Sequence, residues 1–233
     1  MCPRTEPMAA MAITTTDAGL LRLLQLSSVS LPVGGFAFSQ GLESACEQGW
    51  VTNSESAGQW LAAQLQHTLA YLDVPVFLRL HAAHSQGDSE QLHYWNDYLL
   101  AARESHELHL TDTAMGQALR RLLLSLAVPC ELDNPCSFAA TFAIAASYWQ
   151  VPAATAAMGF CWSWLENQVA AATKLVPLGQ TQAQQLLGQL QGLIPSAIAT
   201  AETLADDELG ASLPALAIAS SLHEHQYTRL FRS

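Results

Sequence analysis

A sharp corner between two helical stretches is the feature of this sequence that most restricts its fold. An apolar helical run over residues 20–26 is followed by Pro32, Gly34 and Gly35, and a second helical pattern begins near Ser39. Proline fixes its own φ angle and glycine accepts positive φ, so this spacing predicts a built turn rather than a flexible loop. We therefore expect a positive φ at Gly34 or Gly35.

Helical periodicity dominates the rest of the sequence, and we find no convincing alternating strand. Cap residues and prolines predict where the helices begin. The predicted starts are Asp17, Ser39, Ser54, Pro75, Asp88 or Ser89, Thr111, Ser137, Pro152, Thr181 and Pro214. The sequence thus predicts an all-α, single-domain bundle of about ten helices. A long buried central helix is expected within residues 151–176.

The predicted domain has a short segment on either side of it. Residues 1–16 are expected to be disordered, residues 17–225 to form the all-α domain, and residues 226–233 to form an interaction tail. Because the tail is terminal, we expect few core contacts to depend on it, so that its deletion leaves a folded protein.

Composition limits the partners of this chain. Half of its 233 residues are hydrophobic and only 12% are charged, which is low for a soluble protein and suggests that partners cover apolar surface. The formal net charge of −11 argues against binding to nucleic acid or to anionic lipid. The most apolar window has polar residues at its centre, so no membrane span is expected.

The cysteines predict a reduced, cytoplasmic protein. They are scattered, odd in number and form no Cys-x-x-Cys pair, which favours buried thiols over a disulfide framework. No apolar signal-peptide core precedes residue 16. The cysteines are Cys2, Cys46, Cys130, Cys136 and Cys161.

Catalytic motifs are weak in this sequence. Lys174 is the only lysine and follows a threonine, which excludes a phosphate-binding loop of the Gly-Lys-Ser/Thr type. Residues 37–41 imitate the nucleophile elbow of a hydrolase, with Ser39 as nucleophile and Asp206 and His223 following in order. The all-α pattern supplies no sheet for such an elbow, so Ser39 is more simply a helix N-cap.

Histidine pairs at short spacing offer an alternative metal-binding role. Each pair could present one face or edge to a metal, but none has a third ligand at motif spacing. We expect solvated surface histidines and no metal site. The pairs are His81 with His84, His106 with His109, and His223 with His225.

Two charged features are candidates for partner binding. Arg103 and Glu104 open a charged cluster that is either an exposed helix end with local ion pairs or a polar docking site. Lys174 ends the long apolar helix, where a cation complements the helix dipole and its ammonium could also pair with an acidic group of a partner.

The last residues contain the side chains that most often anchor protein interfaces. Tyr227, Arg229 and Phe231 lie within five residues of one another. Aromatic and arginine side chains are enriched at binding hot spots, which favours an interaction tail over a helix end packed on its own core.

Taken together, several segments resemble the UreF family of urease accessory proteins, in the order in which that family has them. They cover the chain from about residue 20 to its end. They are Leu-Pro-Val-Gly-Gly-Phe with Ser-Gln-Gly-Leu-Glu at residues 31–43, Tyr-Leu-Leu-Ala-Ala-Arg-Glu at 98–104, Met-Gly-x-Ala-Leu at 115–119, Lys-Leu-Val-Pro-Leu-Gly-Gln at 174–180, and Gln-Tyr-x-Arg-Leu-Phe-x-Ser at 226–233.

The resemblance implies a non-catalytic homodimer without a cofactor. Such a protein bridges a urease accessory protein of the D or H type to the GTPase UreG, so that nickel reaches apo-urease, and a regulatory effect on the GTPase has been proposed. Phe36 falls where many relatives have Tyr. A chaperone that binds nickel directly and a Ser39 hydrolase are the alternatives. The partner-binding residues implied are Lys174, Tyr227, Arg229, Phe231, Phe36, Glu43, Arg103 and Glu104, with Pro32, Gly34 and Gly35 as the structural corner.

Overall fold

The structure is a computed structural model that describes residues 15–210 and 213–233. Residues 1–14, most of the segment predicted to be disordered, lie outside this range. The described residues form α-helices and short 3₁₀ and π segments, with no strand, so the predicted all-α fold is confirmed. The α-helices are α1 (Asp17–Leu26), α2 (Leu42–Glu47), α3 (Ser54–Ala63), α4 (Val74–Gln86), α5 (Ser89–Ala101), α6 (His106–Ser125), α7 (Phe138–Tyr148), α8 (Ala153–Leu175), α9 (Gln180–Leu190), α10 (Ile194–Thr203) and α11 (Pro214–His223).

Helix α7 is the centre of the core. Every residue from Phe138 to Ala146 is buried, and α4, α6 and α8 pack around this helix. Aromatic rings join three of these helices, because the ring of Phe160 lies 5.1 Å from that of Phe77 and 5.8 Å from that of Phe142 between centroids. The predicted long helix is α8, of 23 residues, and its apolar side packs against this ring cluster.

A π-helical segment joins α3 to α4 without a break. It covers Gln64–Asp73, and Pro75 follows in the first turn of α4. Proline lacks an N–H and crowds the carbonyl four residues earlier, here that of Tyr71. That carbonyl accepts a hydrogen bond from the N–H of Gly210 at 3.1 Å instead. Pro75 therefore lies where the winding changes from π to α, and the predicted helix start at Pro75 falls one residue after the start of α4 at Val74.

Two of the predicted helix starts differ in the structure for a local reason. Helix α2 begins at Leu42 rather than Ser39, after a 3₁₀ turn over Gly35–Ala37. Helix α6 begins five residues before the predicted cap Thr111. Ser105 is the cap, since its hydroxyl accepts a hydrogen bond from Leu108 N at 3.1 Å, whereas the Thr111 hydroxyl donates back to a helix carbonyl.

Of the other predicted caps two are confirmed, whereas Thr16 and Asn53 cap α1 and α3 in place of Asp17 and Ser54. The carboxylate of Asp88 accepts a hydrogen bond at the start of α5, and the hydroxyl of Ser137 does so at the start of α7. Helix α10 was not predicted, although Pro195 in its first turn is a typical helix-start residue. Across residues 15–210 and 213–233, no helix is both long and apolar enough to cross a membrane.

Candidate functional site

Two glycines give the corner left-handed backbone conformation. Gly34 has φ 77° and Gly41 has φ 81°, so the expectation of a positive φ at one of the paired glycines is confirmed at Gly34. Gly35 has helical backbone, but a Cβ atom there would lie 3.1 Å from Nδ2 of Asn167 on α8. The first glycine thus permits the turn, and the second lets the corner approach α8.

The end of the chain packs on this corner. The N–H of Arg232 donates to the carbonyl of Ala37 at 2.8 Å, and the N–H of Ser39 donates to the backbone oxygen of Ser233 at 2.5 Å. The hydroxyls of Ser233 and Thr111 are hydrogen-bonded to each other, and Ser233 is fully buried. Corner and tail therefore form one structural unit, which we call the corner–tail unit (residues 31–43 and 226–233).

A buried imidazole lies between two carboxylates beneath this unit. Nδ1 of His223 is 2.6 Å from Oε2 of Glu107, and Nε2 of His223 is 3.0 Å from Oε2 of Glu43. His223 is fully buried, so the expectation of a solvated surface histidine is wrong there. Both ring nitrogens of His223 are thus held by glutamate side chains.

The tail completes the same cluster. Nη1 of Arg229 donates to Oε1 of Glu107 at 3.0 Å. The backbone N–H groups of Leu230 and Phe231 donate to the Glu43 carboxylate at 2.6 Å and 2.9 Å. Two buried glutamate side chains thus share one imidazole and one guanidinium. Buried charges remain stable only when paired and hydrogen-bonded in this way.

Lys174 lies beside the tail rather than apart from it. Its Nζ is 5.4 Å from the centre of the Phe231 ring, a distance at which a cation is attracted to an aromatic face. Phe231 is buried against the core, whereas Lys174 is exposed at the end of α8. The lone lysine and the tail therefore share one surface.

Three apolar side chains next to this surface are left to solvent. The relative exposures of Phe36, Leu230 and Tyr227 are 63%, 64% and 102%. The tail is thus divided, because Phe231 and Ser233 pack inward while Tyr227 and Leu230 point outward. The prediction that few core contacts depend on the tail was wrong, for the inward half fills the core and satisfies Glu43.

Arg103 belongs to a second, largely buried ion cluster. Its Nη2 lies 2.6 Å from Oδ1 of Asp73 and 2.7 Å from Oδ2 of Asp112. Burial alone would lower the pKa of the guanidinium, but the two carboxylates raise it overall. Burial also raises the pKa of Asp73, in spite of its pairing with Arg103. Arg103 therefore lies neither at an exposed helix end nor on an open docking face, while Glu104 beside it is exposed.

The geometry needed for a Ser39 hydrolase is not present. Ser39 is fully buried and its hydroxyl accepts a hydrogen bond from Glu43 N at 3.4 Å. His223 is held by its two carboxylates, and Asp206 pairs with Arg79 at 2.7 Å. The three residues proposed for a triad have other partners, so the hydrolase alternative was wrong in its geometry.

The histidine pairs do not assemble a metal-binding group. In the part of the chain that the structure describes, no cluster of three or more His, Cys, Asp or Glu side chains could hold a metal ion. Nε2 of His81 lies 2.9 Å from the carbonyl oxygen of Val151, and burial lowers the pKa of both His81 and His84.

Comparison with known proteins agrees with the resemblance. The family model for UreF matches residues 51–191. The chain belongs to the UreF family. A protein of Marinomonas sp. (strain MWYL1), named urease accessory protein UreF, is 57% identical over 223 residues, which is 95% of this chain and 97% of the relative. Proteins with the same name from Alkalilimnicola ehrlichii and Teredinibacter turnerae are 46% and 48% identical, over 94% and 92% of this chain and 99% and 98% of the relatives.

Membership does not by itself assign roles to residues, but the structure groups those that the sequence singled out. Glu43, Arg229 and Phe231 meet in the corner–tail unit, and Lys174 adjoins them. Glu107 and His223 also belong to this group, which was not predicted. Both are ionisable residues that their helices bury, but the predicted cap at Thr111 left Glu107 outside α6 and so hid this pattern.

Proposed function

We propose that this UreF-family chain acts in urease maturation as a non-catalytic, dimeric scaffold in the cytoplasm. It bridges a urease accessory protein of the D or H type to the GTPase UreG, and the resulting assembly delivers nickel to apo-urease. Family membership supports the urease role. The scaffold role is supported by one observation above the others, the corner–tail unit with Lys174 at its edge and exposed apolar anchors around it.

The exposed anchors have the composition of a binding hot spot. Tyr227, Leu230 and Phe36 offer apolar area, and Lys174 supplies a cation at the rim. Interfaces commonly combine a few aromatic anchors with charges that set orientation and association rate. We propose that UreG contacts the Lys174 side of this surface and that the D-type partner contacts the tail.

Glu43, Arg229 and Arg103 act differently in this proposal, since their side chains are engaged inside the protein. Glu43 and Arg229 hold the tail in the position that presents Tyr227 and Leu230. Arg103 fixes the end of α5 against α6 and the π segment. Their contribution to binding is positional, with Glu104 exposed for direct contact beside Arg103.

The outer face of α1 supports a homodimer. Leu20, Leu21 and Leu24 are 46%, 68% and 60% exposed on one short helix, while Leu23 and Leu26 face the core. Such a concentration of leucine at the surface favours burial against another protein. We propose that this face contributes to the contact between two copies of the chain.

The decisive experiment compares two exposed cations that each lie over an aromatic ring. Lys174→Ala removes the cation beside Phe231, and Arg22→Ala removes a matched one whose Cζ is 4.9 Å from the Trp149 ring. Loss of a rim charge is expected to weaken UreG binding in the presence of the D-type partner by about three- to tenfold. Arg22→Ala should bind as the unaltered chain does.

Binding is measured by interferometry with purified partners, and urease activation is measured in cells. Circular dichroism should show that both variants retain the helical fold. Equal UreG affinity for Lys174→Ala and the unaltered chain, with normal urease activation, would refute the proposed position of UreG.

A further inference from the structure

A cavity beside the Arg103 cluster has polar atoms without hydrogen-bond partners. The cavity has a volume of about 80 Å³ and is lined on one side by the π segment and on the other by α6, α7 and α8. Three atoms of the π segment are buried and lack a hydrogen-bond partner: Nε2 of Gln64, Oγ1 of Thr68 and Oδ2 of Asp73. All three residues line this cavity. Native proteins rarely leave such atoms unsatisfied, so they indicate a polar occupant.

The π winding brings these side chains to one side of the helix. At about 3.6 residues per turn, residues nine apart such as Gln64 and Asp73 fall on opposite faces of an α-helix. The wider π turn, with hydrogen bonds five residues apart, returns them to the same side, and π segments recur at functional sites. The polar stripe is therefore a product of the winding that precedes Pro75.

The charges around the cavity favour a cation. Asp73 and Asp112 line it together with one counter-charge, Arg103. Both oxygens of Asp112 are engaged, one by Arg103 and the other by the N–H of Phe138 at 2.7 Å. Asp73 uses Oδ1 for Arg103, which leaves Oδ2 as a buried carboxylate oxygen open to a donor.

Part of the opposite wall is apolar and limits the shape of the occupant. Met115, Phe138 and Phe160 form this part. A water needs about 10–15 Å³ by a comparable measure, so the space accepts several waters or one short organic molecule. An apolar wall facing a polar stripe suits a molecule with a short alkyl body and a charged, hydrogen-bonding head.

We propose that this cavity binds a short alkylammonium or alkylguanidinium ion, whose N–H groups donate to Oδ2 of Asp73. The hydroxyl of Thr68 accepts a hydrogen bond from the occupant, and Nε2 of Gln64 donates to a water that accompanies it. The alkyl body lies along the apolar wall.

Titration calorimetry on the purified full chain tests this proposal. The probe is propylammonium, tetramethylammonium is the control with charge but no N–H donor, and propanol is the control with the alkyl body but no charge. Propylammonium should bind at least about tenfold more tightly than either control, since only it makes a charged hydrogen bond to Asp73. Binding of all three with equal affinity, or of none, would overturn the proposal.

Matched variants locate the site. Asp73→Asn keeps an oxygen for Arg103 and should weaken propylammonium binding by about tenfold or more. Thr68→Val removes an unpartnered hydroxyl with little change of shape and should weaken it less. Gln168→Met is the control, because Gln168 is also buried with an unpartnered amide oxygen but does not line the cavity. Unchanged affinity in both Asp73→Asn and Thr68→Val would refute the site, and Thr68→Val alone decides if Asp73→Asn fails to fold.

The same head group could come from a free amine or from a basic side chain of another protein. N-acetyl-lysine amide separates the two, since its blocked backbone must remain outside the cavity. Binding as tight as that of propylammonium assigns the site to a side chain, and binding of propylammonium alone assigns it to a free amine. A crystal structure of the soaked protein with only water in the cavity would contradict both.

Discussion

Removal of residues 230–233 tests whether the tail is part of the folded domain. Burial of Phe231 stabilises the packed tail by about 1.5–3 kcal/mol. Each of the two hydrogen bonds from the tail to the charged Glu43 carboxylate adds about 1.5–3 kcal/mol, and each hydrogen bond between the tail and the corner adds about 0.5–1.5 kcal/mol.

Ordering the same residues opposes this gain. Fixing each backbone unit costs about 1–2 kcal/mol, so four residues cancel most of the favourable terms. The tail docked on the corner is then more stable than the detached tail by about 2–4 kcal/mol. In a chain of this size, each kcal/mol shifts the melting temperature by about 2–4 °C. We expect the chain that ends at Arg229 to melt about 5–15 °C lower than the full chain.

Thermal melts followed by circular dichroism measure this shift. Tyr227→Ala is the matched control, because this side chain is fully exposed and its truncation should leave the melting temperature unchanged. A shortened chain that melts within about 2 °C of the full chain would mean that the tail does not contribute to the fold in solution.

Three further predictions address the corner, the cluster around Glu43, and the half-buried His81. Gly34→Val should destabilise the fold by about 1–3 kcal/mol, because Gly34 has φ 77° and valine adopts this conformation only with strain. Gly34→Asn should destabilise it less, since asparagine tolerates positive φ. Urea unfolding measures both values, and equal stability of the two variants would contradict the prediction. Arg229→Lys should lower the melting temperature almost as much as Arg229→Ala does, because the guanidinium donates both to Glu107 and to backbone carbonyls. A melting temperature of Arg229→Lys equal to that of the unaltered chain would refute this. Burial lowers the pKa of His81 below its usual 6.5. Protonation of His81 therefore costs more free energy in the folded chain than in the unfolded chain, so the contribution of His81 to stability is present above pH 6.5 and is lost as the pH falls below 6.5. His81→Gln should therefore reduce the fall in unfolding free energy between about pH 7.5 and 5.5, and an unchanged slope would exclude this residue.

Local sequence rules were sufficient for the features that depend on few residues. The positive φ at Gly34 follows from paired glycines after a proline, and the caps Asp88 and Ser137 follow from one side chain and one backbone N–H each. The all-α class follows from periodicity repeated along the chain. None of these requires knowledge of a distant contact.

Features set by distant contacts were missed. The π segment that precedes Pro75 was not predicted, because it depends on the distant Gly210, which supplies the N–H for the Tyr71 carbonyl. Ser105 and Thr111 are both good caps, and the true start of α6 places Glu107 inside the helix, facing His223. The sequence alone could not show this, since the two residues are more than a hundred positions apart.

The charge cluster limits how the tail can move. If the tail leaves Glu43, this carboxylate loses two N–H donors but keeps His223 as a partner. A buried carboxylate without enough donors is costly, so water or a new donor must replace the tail. The docked state is favoured by only about 2–4 kcal/mol, which is less than a few good interface anchors contribute. A partner that rearranges this tail must therefore bring donors for Glu43 as well as an apolar site for Phe231.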